Sequence, residues 1–63
     1  MMNVTMKPYT ATFENTWGEI YKMSCDGVSD VHANARAWHK FMDTQWYRDA
    51  PRDWTLKKVT FTA

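Results

Sequence analysis

The sequence predicts an α+β fold: strand, strand, helix, strand, with a three-stranded antiparallel sheet of order 2-1-3 and one helix packed on one of its faces. Three observations carry this. Apolar residues alternate with polar ones early in the chain, a long stretch in the middle has helical periodicity, and a proline followed by a second β-rich run closes the sequence.

In PYTATFEN, Tyr9, Ala11 and Phe13 alternate with Thr10, Thr12 and Glu14, the period-two pattern of a strand with one buried face. The first strand is placed at 8–14. Asn15, Thr16 and Gly18 are turn residues, and EIYKMSC resumes with Ile20, Tyr21 and Met23, so a hairpin leads into a second strand at 19–25. In DGVSD, Ser29 is a helix N-cap and Asp30 suits the positive end of the helix dipole.

From Asp30 to Arg48 no residue breaks a helix. At 100° per residue, Phe41, Trp38, Val31, Met42, Ala35 and Trp46 fall within an arc of roughly 140°, interrupted by Asn34 and Gln45, and form the expected core stripe. His32, Arg36, His39, Lys40 and Asp43 take the other side. The Ala50–Pro51 pair ends the helix, because a residue before proline avoids the α region. RDWTLKKVTFTA is the third strand, with Trp54 and Leu56 in one phase and Val59 and Phe61 in the other. That change of phase predicts either a bulge near Lys57–Lys58 or apolar groups on both faces. A right-handed crossover then sets the third strand beside the first.

Sixty-three residues make a single domain, 1–63, near the lower limit for a core without disulfides or metal. Residues 1–7 are expected to be a flexible lead. Four Trp, three Tyr and three Phe are first of all core material at this size. Eight Lys and Arg against seven Asp and Glu, without long runs of either sign, lack the footprint of a duplex-DNA binder. One cysteine, no signal-like start and no long apolar stretch predict a cytoplasmic, non-membrane protein.

Catalytic and metal chemistry find little purchase. Cys25, His32 and His39 are evenly spaced, but histidines seven positions apart on one helix lie about 10.5 Å apart along its axis, too far to share a zinc ion. His39 and Asp43 would form an exposed pair of small weight. Ser24, Cys25 and Ser29 lack a recognisable base and oxyanion site. Asp26, Asp30, Asp49 and Asp53 flank turns and helix ends, where carboxylates cap. With only Gly18 and Gly27 there is no phosphate-binding glycine loop. The expectation is a protein that is not an enzyme and has no cofactor and no metal.

A binding surface remains. Aromatic groups beyond what the core under the helix needs should lie on the open sheet face or an edge, and Trp17, Trp54 and Tyr47 are the candidates. Near Arg52, Lys57 and Lys58, exposed Trp and Tyr would match the residue types of protein interaction hot spots, or a base-stacking platform.

The order of elements, the hydroxyl N-cap Ser29 with Ala33, Ala37 and Phe41 following at four-residue steps, and the third-strand pattern Trp54, Leu56, Lys58, Val59 resemble a family of small early podoviral-phage proteins that inhibit the bacterial host RNA polymerase. The likeness covers residues 8–62 in layout. It implies a host protein as partner, bacterial RNA polymerase being the target, and third-strand basic residues as the grip. Lys58 falls at one such position, and Thr60 occupies the second. The partner-binding set is thus Trp54, Lys57, Lys58 and Trp17. A single-stranded nucleic-acid module using the open sheet face, or a homodimeric interaction subunit, is the alternative.

Overall fold

The computed structural model describes residues 5–62, and the element order is β1 (Lys7–Asn15), β2 (Ile20–Gly27), α1 (Asp30–Met42), α2 (Gln45–Asp49) and β3 (Trp54–Phe61). The sheet runs β2-β1-β3, and β1 pairs antiparallel with both neighbours, which is the expected architecture. Of the expected lead, Thr5 and Met6 precede β1 without regular structure, Lys7 already belongs to the strand, and 1–4 lie outside the described residues.

β1 alternates as its sequence demands. Tyr9, Ala11, Phe13 and Asn15 are buried under the helix. They stand opposite Cys25, Met23 and Tyr21 on β2, and opposite Phe61, Val59, Leu56 and Trp54 on β3. The third strand reaches that arrangement through the bulge expected near Lys57–Lys58. Thr12 faces Lys58 and Phe13 faces Leu56, so Lys57 has no partner in the register. One extra residue turns the phase of the strand, and both halves of its apolar pattern arrive on the same face.

Ser29 caps α1, its Oγ accepting the His32 N–H at 3.3 Å. Two expectations about this helix fail. It stops at Met42 instead of running to 48, because Thr44 adopts an extended backbone (φ −87°, ψ 157°) and caps a second, short helix. The Thr44 hydroxyl donates to the Phe41 carbonyl at 2.6 Å and accepts from the Tyr47 N–H at 3.4 Å, a local alternative to continuing the α1 ladder.

The buried stripe of α1 is also not the expected one. Ala33, Ala37 and Phe41 face the sheet, whereas Val31, Ala35 and Met42 are exposed and Trp38 is half-buried. The helix is turned by roughly 100° from the reading that centred on its largest side chains. Small residues at the contact let the two backbones approach closely. A Cβ added at Gly27 would lie 2.6 Å from the Ala33 backbone nitrogen and 2.8 Å from its Cα.

Phe41 joins the layers. Its ring stacks on Phe13 with centroids 4.0 Å apart and an interplanar angle of 14°. Tyr21, Trp38, Tyr47 and Trp54 pack around it tilted or edge-on at 5.1 to 6.2 Å.

The two glycines should respond differently to alanine. Gly27→Ala drives a methyl into helix backbone that cannot swing aside and should lower stability by about 2–3 kcal/mol or prevent folding. Gly18 has φ +85° with open space around it, so Gly18→Ala should cost only about 1–2 kcal/mol, from backbone strain. Urea unfolding of the two variants measures the difference.

Candidate functional site

Two surfaces of this fold could engage a partner. The first is the sheet face away from α1. Its residues are Pro8, Thr10, Thr12 and Glu14 of β1, Ile20, Lys22, Ser24 and Asp26 of β2, and Thr55, Lys58 and Thr60 of β3, by alternation from the buried positions. Thr12 is directly opposite Lys22 on one side and Lys58 on the other. It is buried although no helix covers it, as expected where two long lysine stems flank it. Lys57 sits at the bulge beside them and reaches Glu14 at 4.0 Å, a weak surface pair. A Thr10–Thr62 hydroxyl bond of 2.8 Å fastens the far end of the same face.

No aromatic side chain lies on this face among the described residues. Of the two places expected for surplus rings, the open face or an edge, only the edge holds one, Trp17 on the hairpin turn: the bulge in β3 sends the large apolar groups of that strand inward, and Ile20 is the one large apolar side chain on the open face.

The second surface is a cleft of about 370 Å³ at the hairpin end of the sheet, lined by Asn15, Trp17, Glu19, Trp46, Asp49, Ala50 and Trp54. Asn15 builds one wall. Its Oδ1 accepts the Trp17 and Glu19 N–H groups at 3.0 and 2.9 Å, and its Nδ2 donates to Glu19 Oε1 at 2.6 Å. The Gly18 N–H bonds the Asn15 carbonyl at 3.1 Å, and the positive φ at Gly18 returns the chain to β2. Helix α2 builds the other wall. The Trp54 indole N–H donates to the Trp46 carbonyl at 3.0 Å, tying β3 to α2, and Gln45 Nε2 donates to Asp49 Oδ1 at 2.6 Å.

The four sequence-derived candidates divide between these surfaces. Lys57 and Lys58 come together on the open face. Trp17 is 67% exposed on the cleft rim. Trp54 is only 7% exposed, so it presents little more than an edge to the cleft floor, and its principal role is in the core. Tyr47 is half-buried against Trp38 and Phe41 and does not act as a free surface ring. Trp46, assigned from periodicity to the core stripe, is instead 51% exposed, since the break at Thr44 releases it from the α1 axis.

Glu19 and Lys22 are not singled out by the sequence, which marks Asn15 only as a turn residue and Asp49 only as a carboxylate at a helix end. Asn15 had a legible signal, since an Asn opening a turn two residues before a backbone donor is the usual Asx arrangement. Glu19 and Asp49 become neighbours of one cleft only through the tertiary fold.

Cys25 is buried, with its thiol donating to the Ala33 carbonyl at 3.6 Å. Desolvation pushes its pKa up, opposed by Lys40 and Arg36 and reinforced by Asp26, so the neutral thiol is favoured and the nucleophilic form suppressed. His32 accepts the Val28 N–H through Nδ1 at 3.0 Å and helps close the turn before α1. No group of His, Cys, Asp and Glu suited to a metal ion forms among the described residues, and no helix there is long and apolar enough to cross a membrane.

No family model matches this chain, and no curated protein or solved structure matches it.

The Asn15 network can be tested directly. Asn15→Ala removes the acceptor of two backbone N–H groups and should cost about 1–3 kcal/mol. Asn15→Asp keeps the acceptor but replaces the Nδ2 donor with a carboxylate that faces Glu19, so it should also destabilise, and adding Glu19→Gln should restore part of the loss. Thermal unfolding of the single and double variants distinguishes these outcomes.

Proposed function

We propose that the protein is a small phage-type inhibitor that works by docking on a host protein, with bacterial RNA polymerase as the leading target, and that the lysine-bearing open face of the sheet is its docking surface. The observation that carries this reading is the cross-strand row Lys22, Thr12, Lys58, with Lys57 beside it. Lys22 and Lys58 flank Thr12 on neighbouring strands and Lys57 joins them at the bulge, with Glu14 offsetting part of its charge, so this part of the face is cationic and complements an acidic protein surface. Lys58 holds the third-strand position at which the resembled family carries a gripping basic residue, whereas Thr60 departs from it.

A binding role also suits the chemistry of the interior. The lone thiol is enclosed and held neutral, and the aromatic groups that give the domain its rigidity are engaged with one another around Phe41. Rigidity favours a docking protein because little conformational entropy is lost on association. Trp54 supports the surface from inside and is not itself a contact residue in this proposal. Trp17 lies at the sheet end, where a large partner on the open face would meet it at the margin.

These lysines would also attract a nucleic-acid backbone. Protein is favoured because the face offers no ring on which a base could stack, and three lysines neutralise too few phosphates for firm binding at physiological salt.

Binding of the purified chain to immobilised bacterial RNA polymerase, paired with a transcription assay, tests the proposal. A Kd in the micromolar range or tighter is expected, with inhibition at matching concentrations. Lys57→Glu combined with Lys58→Glu should weaken binding at least ~10-fold, and added salt should weaken the unaltered chain. Absence of binding at about 10 μM would refute RNA polymerase as the target. Undiminished binding by the doubly reversed variant would refute the open face as the surface.

A further inference from the structure

We infer that the cleft between the β1–β2 turn and α2 is a recognition site for an arginine side chain of a partner protein. The inference is separate from the lysine-bearing face and goes beyond the function proposed for it. Three indoles, from Trp17, Trp46 and Trp54, line one concavity of about 370 Å³ together with the carboxylates of Glu19 and Asp49. This volume falls within the range of small-molecule sites and is ample for one long side chain.

Electrostatics decide the class of ligand. The indole face carries the negative end of a quadrupole and attracts a cation held within about 6 Å of the ring. Carboxylates beside such rings repel anions and leave a neutral apolar group with no way to satisfy them. Neither Glu19 nor Asp49 is neutralised by the chain itself, since the only ion pair among the described residues is Lys57 with Glu14. Glu19 uses Oε1 to accept from Asn15, and Asp49 uses Oδ1 to accept from Gln45, so each carboxylate is oriented by a neutral amide and not by a cation. The site is also prepared before a ligand arrives. Trp54 is fixed by its bond to the Trp46 carbonyl, and the Trp46 and Trp54 rings meet edge-on at 6.5 Å and 85°. Half of Trp46 and most of Trp17 remain open to solvent.

Arginine fits this combination better than lysine. Its guanidinium is planar and stacks flat on an indole, it is weakly hydrated and so enters an aromatic cleft at smaller cost, and its fork of donors can serve more than one carboxylate. A lysine ammonium would keep more of its water and stack less well.

Titration of the ¹⁵N-labelled protein with an N-acetylated, C-amidated Gly-Arg-Gly peptide tests the site, followed by the indole N–H resonances. Saturable shifts of Trp17 and Trp46 are expected, with Trp38 little affected and a Kd of about 10 mM or tighter. The uncharged citrulline peptide should bind at least ~5-fold more weakly and the lysine peptide at least ~2-fold more weakly. Trp17→Ala, Glu19→Gln and Asp49→Asn should each weaken arginine binding by about 3- to 30-fold. Trp17 and Asp49 are exposed and Gln at 19 retains an acceptor for Asn15, so amide dispersion should show folded variants. Reversal of Lys57 and Lys58 should leave the titration unchanged, which separates this site from the open face. No saturation by about 50 mM, or equal binding of the citrulline peptide, would overturn the inference, and lysine binding as tight as arginine would overturn the preference for guanidinium.

Discussion

The stack of Phe41 on Phe13 is the interaction on which the rest of this structure depends. Phe13 lies toward the C-terminal end of the middle strand and Phe41 on the last turn of α1, and both are fully buried. Because Tyr21, Trp38, Tyr47 and Trp54 all pack against Phe41, one side chain joins β1, β2, β3 and both helices. Removing a buried Phe side chain costs about 3–5 kcal/mol. A chain of this length has only ~3–9 kcal/mol of stability in total. The domain therefore has one indispensable anchor and little reserve.

That anchor explains where the surfaces lie. Burial of Trp54 against Phe41 starts β3 at a fixed point opposite Asn15, and the bulge then keeps Leu56, Val59 and Phe61 on the inner face while Lys57 and Lys58 stay outside. The helix is drawn close by Ala33, Ala37 and Gly27, so it covers one face and leaves the other clear. At the hairpin end, the bond from the Trp54 indole to the Trp46 carbonyl hangs α2 on the same core and forms the floor and one wall of the aromatic cleft. The cationic face and the acidic cleft are products of one packing solution.

Much of the fold was legible in the sequence because its signals are local. The alternation in PYTATFEN, the Ser29 cap and the phase change across Lys57–Lys58 each reflect neighbouring residues, and each has its counterpart in the structure, whereas the Ala50–Pro51 pair closes only the short α2 and not the helix that starts at Asp30. The orientation of α1 was less legible. Hydrophobic periodicity weights large side chains, whereas close packing on the sheet selected the alanines, and Val31 and Met42 were left in solvent. Thr44 was overlooked as a helix start because nothing apolar changes there, only a hydroxyl that bonds backward to Phe41 and forward to Tyr47. For the sites, the paired lysines could be named from the strand, but the meeting of Trp17, Glu19, Trp46 and Asp49 depends on long-range packing that no local spacing encodes.

The aromatic core takes in Trp54 and leaves Trp17 and Trp46 at the surface. Broadening of the four indole N–H resonances by a soluble paramagnetic probe reads out this arrangement. Strong broadening is expected for Trp17 and Trp46, an intermediate effect for Trp38, and protection for Trp54, whose N–H is turned to the Trp46 carbonyl. Broadening of Trp54 as complete as that of Trp17 would contradict it, since the core, the start of β3 and the cleft would then all be built differently.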